Sequence, residues 1–200
     1  MPTDTELLHA WRGGDRAAAD ELLNRHLPDL VRFFRSKLRD DAEDCVHETL
    51  VRVLNRGPSL REGSSFRAYM FAVGRNLLFE RFRKQSRFEG PLSTSLHDLG
   101  ASPSNLVAEH QEQQLLLQGL RRVPLDSQIL LELFYWENLS VAELADVFEV
   151  PPGTVKSRLH RSRGQLREAL AALESQGQSL GTTLTSLEDW ARSIRRLSWT

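Results

Sequence analysis

Apolar residues recur at intervals of three or four along most of the chain, which is the spacing of one face of an α-helix. The pattern begins at residues 7–11, is interrupted by Gly13-Gly14-Asp15 and resumes over residues 22–38. Within that second stretch we expect Pro28 to mark a helix start or a kink, because proline disrupts a helix interior. No alternating pattern typical of strands extends beyond a few residues, so the sequence predicts an all-α protein.

Two further helices are predicted before the middle of the chain. The first covers residues 41–54, and the stop signal Asn55-Arg56-Gly57-Pro58 ends it. A loop of residues 59–65 then leads to a helix over residues 66–87. The apolar residues expected on one face of the first of these helices are Val46, Leu50, Val51 and Leu54.

Two stretches without periodicity divide the chain. Residues 90–105 hold two glycines, two prolines and four serines, a composition typical of a flexible linker. A second such stretch, residues 176–183, precedes an apolar stripe at helical spacing. We therefore predict two small helical domains, residues 1–89 and 106–175, joined by the linker 90–105 and followed by a helical tail, residues 176–200. That tail either packs on its own domain or docks on a partner or on the other domain.

Composition places the chain among globular proteins rather than disordered or fibrous ones. Its 200 residues are 40% hydrophobic and 26% charged. No apolar run approaches the ~18 residues of a membrane span, and the first residues lack the basic flank and apolar core of a signal peptide. Cys45 is the single cysteine, which excludes an internal disulfide and a multi-cysteine zinc site. We expect a soluble, cytoplasmic protein that does not insert into membranes.

Charge is strongly segregated, although the formal net charge is only −1. Residues 91–150 carry nine acidic and two basic side chains, whereas residues 151–173 carry five basic and one acidic. Residues 66–88 form another basic stretch, with six basic residues and one acid. Two separate basic stretches in a nearly neutral chain predict two contacts with a polyanion. A further hypothesis is that the acidic stretch masks the basic helix after residue 151 in the free protein.

The strongest local signal is residues 140–167, SVAELADVFEVPPGTVKSRLHRSRGQLR. A capping box at Ser140 to Glu143, a tight turn and a basic second helix together indicate a helix-turn-helix. Helical spacing separates the side chains of the second helix into two faces. The inner face is expected to hold Val155, Leu159, Ser162 and Leu166, and the outer face Thr154, Ser157, His160 and Arg161 with Lys156 at its edge. The alternative is a solvated basic face on an ordinary helical bundle.

The helix predicted over residues 66–87 interleaves aromatic and basic side chains. Aromatic rings stack on unpaired bases and arginines neutralise phosphates, a combination suited to single-stranded nucleic acid. The same aromatics are also compatible with a hydrophobic core, and spacing alone does not separate the two interpretations. The residues concerned are Phe66, Tyr69, Phe71, Phe79 and Phe82 with Arg67, Arg75, Arg81, Arg83 and Lys84.

Taken in order, these motifs resemble those of an extracytoplasmic-function (ECF) sigma factor, the smallest type in the sigma-70 family of bacterial transcription initiation factors. Residues 41–54, DAEDCVHETLVRVL, resemble sigma region 2.2, and residues 66–87 resemble regions 2.3 and 2.4. Leu120-Arg-Arg-Val-Pro124 and Gly153-Thr-Val-Lys-Ser-Arg158 resemble region 4. The family often has a tryptophan where this chain has Tyr69. The resemblance covers both predicted domains and leaves the tail outside it.

The resemblance implies a subunit that acts only with core RNA polymerase, while the polymerase performs the catalysis. Region 2.2 would dock on the clamp helices of the polymerase β′ subunit, and region 4 on the β flap. The implied polymerase-binding residues are Asp41, Glu43, Asp44, Glu48 and Arg52. Acids at a helix start also have a simpler explanation, because they favour the positive end of the helix dipole. Many members of the family have an anti-sigma partner, although no residue of this sequence identifies one.

The resemblance also implies contacts with two promoter elements in DNA. The loop 60–65 and the helix after it would read the minus-10 element on the non-template strand, with one base flipped out of the stack. The implied minus-10 residues are Tyr69, Arg75, Asn76, Arg81, Arg83 and Lys84. The helix-turn-helix would read the minus-35 element as duplex through Thr154, Lys156, Ser157, Arg158, His160 and Arg161. Arg161 facing a guanine is the expected specific pair.

A different class of function remains as the alternative. A free-standing helix-turn-helix regulator would bind duplex DNA without polymerase, but it would need no surface like region 2. We predict no enzyme and no cofactor, because no Ser/His/Asp set, carboxylate pair or phosphate-binding loop stands out. Cys45 and His47 lie two residues apart on a helix and do not face one point, so we predict no metal site.

Overall fold

A computed structural model of the chain describes residues 1–38, 41–56, 65–85, 95 and 111–175. Regular secondary structure in these residues is helical throughout, as predicted. The helices are α1 (Asp4–Arg12), α2 (Arg16–Arg35), α3 (Ala42–Arg56), α4 (Phe66–Gln85), α5 (Gln111–Arg122), α6 (Leu125–Tyr135), α7 (Val141–Phe148) and α8 (Pro152–Ser175). The predicted loop 59–65 lies outside the described residues except for Ser65, and the predicted linker 90–105 lies outside them except for Ser95. The whole predicted tail, residues 176–200, also lies outside them.

The first two helices are separated at the predicted Gly13-Gly14-Asp15 break. Thr3 and Glu6 form a capping box at the start of α1, which satisfies backbone amides at the helix end. Gly14 has φ 96°, a conformation that glycine adopts without a steric penalty, so the chain turns sharply between the helices. Asp15 then caps α2 by accepting hydrogen bonds from the amides of Ala17 and Ala18. The break between α1 and α2 is therefore confirmed.

Pro28 does not mark a helix start, because it lies in the interior of α2. Proline there removes one backbone hydrogen bond and costs ~3 kcal/mol. The cost is offset by packing on both sides of it, since Leu22 and Leu30 are completely buried and Phe34 is as well. Burying each such side chain contributes ~1.5–3 kcal/mol. Tertiary packing therefore carries the helix through a residue that normally ends one.

The predicted apolar face of α3 is also partly wrong. Val46 is buried, but Val51 and Leu54 are 41% and 43% exposed. The face that packs inward instead uses small and polar residues that the hydrophobic pattern undervalued, namely Ala42, Cys45, Thr49 and Val53. Thr49 is accommodated there because its hydroxyl donates to the carbonyl of Cys45 at 2.7 Å. As a result, α3 presents two apolar side chains outward.

The two predicted domains share a hydrophobic core. One continuous cluster of buried side chains runs from α1 to α4 and continues into α6, α7 and the start of α8. A second cluster joins α5, α6 and α8. Ser95, in the predicted linker, is buried and forms an isolated antiparallel β-bridge with Pro124. The helix-turn-helix is thus packed against α4 in this conformation.

Candidate nucleic-acid interface

Helices α7 and α8 form the predicted helix-turn-helix. The Ser140 hydroxyl accepts from the amide of Glu143 at 3.2 Å, and the Glu143 carboxylate accepts from the amide of Ser140 at 2.9 Å. Glu149 ends α7 in the left-handed conformation, with φ 52°. The amide of Val150 then donates to the carbonyl of Ala145 at 3.1 Å. Both the predicted capping box and the predicted turn are confirmed.

The two faces of α8 are also as predicted. The inner residues Val155, Leu159, Ser162 and Leu166 are all buried. Among the outer residues Lys156, Ser157, His160 and Arg161 are exposed, and Thr154 and Arg158 are half-buried. Among the described residues, neither Lys156 nor Arg161 has a salt-bridge partner within 4.0 Å. The outer face therefore presents basic and hydroxyl groups to solvent, an arrangement that suits the major groove of duplex DNA.

Arg75 of α4 occupies a different environment, at the contact between the two halves of the chain. Its guanidinium donates to Asp126 Oδ1 of α6 through Nη2 at 2.7 Å and through Nε at 3.1 Å. It also lies over the rings of Phe79 and Phe148, 5.0 and 4.9 Å from their centroids. Its side chain is only 14% exposed. Arg75 is consequently unavailable to a nucleic acid in this conformation.

The other predicted minus-10 residues are divided between two places. Tyr69 is half-buried, and burial raises the pKa of its phenol, whereas Asn76 is exposed. These two residues lie beside Ala72 on the wall of a groove of about 1350 Å³ between α3, α4 and the turn of the helix-turn-helix. Arg83 and Lys84 are exposed near the end of α4. The structure therefore groups Tyr69 with Asn76, away from the basic end of the helix.

Two residues assigned to different surfaces turn out to be partners. Arg81, expected to meet DNA phosphates, contacts Asp41, expected to meet polymerase, at 2.6 Å. Arg52 likewise contacts both Glu48, at 2.6 Å, and Glu80 of α4, at 2.8 Å. The hydrogen bond from Arg52 lowers the pKa of Glu80. The Arg81–Asp41 and Arg52–Glu80 pairs connect α4 to α3 and the residue before it, and they could not be found from spacing along the chain. The Arg52–Glu48 pair lies within α3 at a spacing of four residues.

The phenylalanines of α4 belong to the core. Phe66, Phe71, Phe79 and Phe82 are all at least 94% buried. Phe71 packs against Phe33 of α2 with the ring centroids 5.6 Å apart. Their interpretation as stacking platforms is therefore wrong in this conformation, because the bundle needs them for packing. Tyr69 is the one predicted aromatic of this helix that keeps contact with solvent.

The outer side of α3 carries the residues predicted to bind polymerase. Glu43, Asp44 and Glu48 are exposed, and Arg52 and Asp41 are half-buried by the pairs just described. Sequence reasoning missed Val51 and Leu54 here, because it placed them in the core. An exposed face that combines acids with two apolar side chains has the composition of a protein-binding surface rather than of a DNA-binding one.

The acidic stretch does not cover the basic helix as hypothesised. Its described acids Asp126, Glu132, Glu137 and Glu143 instead contact α2, α4 and the residues beside them. The outer face of α8 stays exposed. Charge segregation thus indicated an intramolecular contact correctly but assigned it to the wrong basic helix.

Within the described residues there is no cluster of three or more His, Cys, Asp or Glu side chains that could hold a metal ion. Burial raises the pKa of the Cys45 thiol to about 11. A search of the same residues finds no helix that is both long and apolar enough to cross a membrane.

Comparison with known proteins finds a match in each of the two predicted domains. The family model for sigma-70 region 2 matches residues 22–88, and the model for sigma-70 region 4 matches residues 113–166. The ECF RNA polymerase sigma factor SigE of Mycolicibacterium smegmatis is 30% identical over 184 residues, which cover 88% of this chain and 70% of the relative. SigM of Mycobacterium tuberculosis is 27% identical over 175 residues, or 86% of this chain and 87% of the relative.

Two solved structures resemble the chain as a whole. The sigma factor RpoE of Bartonella quintana, solved in complex with the anti-sigma factor NepR, matches with a TM-score of 0.59 and 26% identity, covering 76% of this chain and 96% of RpoE. CnrH, solved with the cytosolic domain of CnrY, matches in fold with a TM-score of 0.62 and 24% identity, over 84% of this chain and 97% of CnrH. The chain belongs to the ECF sigma factors of the sigma-70 family. It therefore binds core RNA polymerase and directs promoter-specific initiation of transcription.

Proposed function

We propose that this ECF sigma factor reads its promoter through two separate surfaces, of which α8 reads the minus-35 element as duplex. Thr154, Lys156, Ser157, Arg158, His160 and Arg161 are the residues we assign to this contact. The exposed outer face of α8 and the absence of salt-bridge partners for Lys156 and Arg161 among the described residues support the assignment. Small Thr154 and Ser157 allow close approach, while the long basic side chains reach base edges or phosphates.

The second surface is α4, which we assign to the minus-10 element on the non-template strand. Tyr69 and Asn76 border an open groove, so they are placed to meet an unpaired base. Arg83 and Lys84 are exposed for phosphates, and Arg81 joins them if it leaves Asp41. Arg75 contributes only after it leaves Asp126.

For polymerase docking we assign the outer side of α3. The proposed contact consists of Asp41, Glu43, Asp44, Glu48 and Arg52 together with the exposed apolar residues Val51 and Leu54. The β′ clamp helices are the expected partner, and the β flap is expected to meet the region 4 domain. Apolar side chains contribute most of the free energy at the centre of such an interface, while charges direct its orientation.

We divide the chain into a region 2 domain over residues 1–89, a linker over 90–105, a region 4 domain over 106–175 and an extension over 176–200. Because the expected partner, core RNA polymerase, works in the cytoplasm, we propose that this chain acts there as well. The RpoE relative was solved with an anti-sigma factor, and we propose a regulator of that class as a further partner for this chain. Its expected effect is to cover one or both promoter-binding surfaces.

The observation that carries the proposal is the exposed basic face of α8, whose Lys156 and Arg161 have no salt-bridge partner in the part of the chain that the structure describes, on a helix-turn-helix joined to a region 2 helix bundle. Run-off transcription from a pool of genomic promoters, with core polymerase and with or without the chain, tests it. We expect new start sites preceded by two shared sequence elements. Duplex binding without polymerase and without new transcripts would instead favour the free-standing regulator.

A further inference from the structure

Seven charged side chains connect the region 2 and region 4 domains, and we call them the interdomain charge cluster. Across the contact, the acids come from the region 4 side and the bases from the region 2 side. Within region 2, Asp29 also pairs with Arg32 and Arg67, at 2.7 and 2.9 Å. The cluster consists of Arg32, Lys37, Arg67 and Arg75 with Asp126, Glu132 and Glu137.

At the centre of the cluster Glu137 is held by two arginines. Arg32 donates to both carboxylate oxygens, from Nε and Nη2, each at 2.7 Å. Arg67 donates to one of the same oxygens at 2.6 Å and also contacts the Glu137 carbonyl. The Glu137 side chain is only 3% exposed. Two-pronged pairing with arginine is how carboxylates and phosphates are both bound, so Glu137 occupies its arginines much as a phosphate would.

Lys37 and Glu132 form a second, fully buried pair. The Lys37 ammonium donates to Glu132, to the carbonyl of Phe33 at 2.8 Å and to the hydroxyl of Ser36 at 2.8 Å. Glu132 in turn accepts from Gln128 at 2.7 Å. A charge pair is tolerated in a protein interior only when its hydrogen bonds are satisfied. This pair therefore makes the contact between the domains specific rather than a loose association of surfaces.

The cluster covers the promoter surfaces unequally. Arg75, which we assign to the minus-10 element, is bound to Asp126, and Arg67 on the same helix is bound to Glu137. By contrast, Arg161 on α8 and Glu48 on α3 are exposed. In this closed conformation the minus-35 surface and the polymerase-docking surface are open. On α4 the region 4 acids engage Arg67 and Arg75, while Asn76, Arg83 and Lys84 stay exposed.

We infer that the region 4 acids act as an intramolecular competitor that keeps α4 from DNA until the two domains separate. Carboxylates on α6 and after it take the positions that phosphates would otherwise occupy on the arginines of α4. Duplex binding by α8 does not require separation of the domains, but complete minus-10 binding, with Arg75 on the DNA, does. The inference rests on the proposed function for its DNA partners, whereas the closed conformation itself is testable without DNA.

A paired neutralisation removes the negative charge of the competitor and keeps side-chain amides that can still accept hydrogen bonds from the arginines. The test variant is Asp126→Asn with Glu137→Gln, and its matched control is Asp20→Asn with Glu168→Gln, two exposed acids outside the cluster. Lys37 and Glu132 are left intact, because removing one member of a buried pair leaves the other uncompensated. Arg32→Gln removes one of the two arginines that hold Glu137 and weakens that contact from the region 2 side. It serves as an independent second variant, so misfolding of one variant does not end the test.

Distances between spin labels report the conformation directly. Labels at Ala17→Cys and Arg167→Cys lie on exposed positions of α2 and α8, whereas Cys45 is buried with its thiol pKa raised to about 11 and therefore labels poorly. We expect one short distance in the unaltered chain and in the control. The double variant and Arg32→Gln should add a longer, broad population. Identical distributions in all four proteins would overturn the inference.

DNA binding by the same proteins supplies the second measurement. The probes are the single-stranded minus-10 element and the duplex minus-35 element identified by the transcription assay. If about a tenth of the unaltered molecules are open at equilibrium, variants that open the contact between the domains should bind the minus-10 probe about tenfold more tightly. Their binding to the minus-35 probe should be unchanged. Equal tightening for both probes, or for neither, would contradict the inference. Failure of the proposed function would appear instead as no polymerase binding or transcription, with the distance measurement still interpretable.

Discussion

The guanidinium of Arg75 lies 2.7 Å from the carboxylate of Asp126. This contact joins α4, the helix assigned to the minus-10 element, to α6, the region 4 helix that follows Pro124. It places one predicted DNA-binding residue inside the protein, between the rings of Phe79 and Phe148. The surfaces that act on a promoter are thus not all available at once in the closed chain.

Lys156→Ala should weaken minus-35 binding by a similar factor on every duplex sequence. A lysine is a point charge that contacts phosphates, so its loss removes about one released counterion and lowers the salt dependence of binding by about one unit of slope. Titration of duplex DNA at several salt concentrations measures this slope. Arg167→Ala, an exposed change farther along α8, is the control and should leave both affinity and slope unchanged. A sequence-dependent loss in Lys156→Ala would contradict the assignment.

Val51→Asp with Leu54→Asp should weaken binding to core polymerase while leaving the fold intact. Both side chains are exposed, so we expect the free energy of unfolding to change by only about 0.5 kcal/mol. Loss of two central apolar contacts is expected to cost about 2 kcal/mol of binding, or roughly thirtyfold in affinity. Titration of labelled chain with core polymerase gives the affinity, and urea unfolding gives the stability. Normal polymerase affinity in a folded double variant would place the docking surface elsewhere.

Gly164→Ala and Gly119→Ala should change stability in opposite directions. A methyl group at Gly164 meets nothing within 4 Å, so alanine there gains helix propensity worth ~0.5–1 kcal/mol. At Gly119 the same group would lie 2.6 Å from Leu170 Cδ2 and 3.1 Å from its Cγ, so that leucine must move at a cost of ~1–3 kcal/mol. Urea unfolding measures both free energies. Stabilisation by Gly119→Ala would show that α5 and α8 pack less tightly than described.

Acid should weaken the contribution of Asp29 to stability. Burial opposes ionisation of its carboxyl, but the nearby His26, at 3.9 Å, and the charges of Arg67 and Arg32 outweigh it and lower the pKa from 3.8 to about 2. Because the folded-state pKa is the lower one, the stabilisation is complete above 3.8 and is lost as the pH falls toward about 2. Allowing for solvent screening, we expect on the order of 1 kcal/mol.

Urea unfolding of the unaltered chain and of Asp29→Asn over the same pH range isolates this effect. The difference between their free energies of unfolding should shrink as the pH falls from 4 toward 2 (about the interval between the two pKa values). Asp20→Asn, on an exposed part of α2, is the control and should show no such convergence. A constant difference across the interval would mean that Asp29 acts through packing rather than charge.

Local sequence signals predicted most of the fold because they have local physical causes. The capping box at Ser140 and the alternating faces of α8 depend only on neighbours within a few turns, and both are confirmed. Pro28 does not start its helix, because that helix is stabilised by residues distant in sequence. Val51 was placed inside because it is more hydrophobic than Thr49. Thr49 takes the inner position instead, since its hydroxyl donates to the carbonyl of Cys45 within the same helix.

The candidate site was less predictable, because pairs between the domains leave no mark at any fixed spacing. The exposed set on α8 could be read from helical periodicity alone. Nothing local indicated that Arg75 would meet Asp126, 51 residues away, or that Arg52 would meet Glu80. Segregated charge was the one available signal, and it showed that acids would meet bases without showing which.

Transcription from a pool of promoters with randomised upstream elements tests the central claim, that two surfaces of one sigma factor read two elements. With core polymerase, the unaltered chain should select both an upstream and a downstream element. Arg161→Ala should relax preference at one position of the upstream element by ~1–3 kcal/mol, the value of one arginine–guanine pair, and leave the downstream preference unchanged. The account would be contradicted if Arg161→Ala gave transcripts with the same preference at both elements as the unaltered chain. It would also be contradicted if the unaltered chain gave no transcripts.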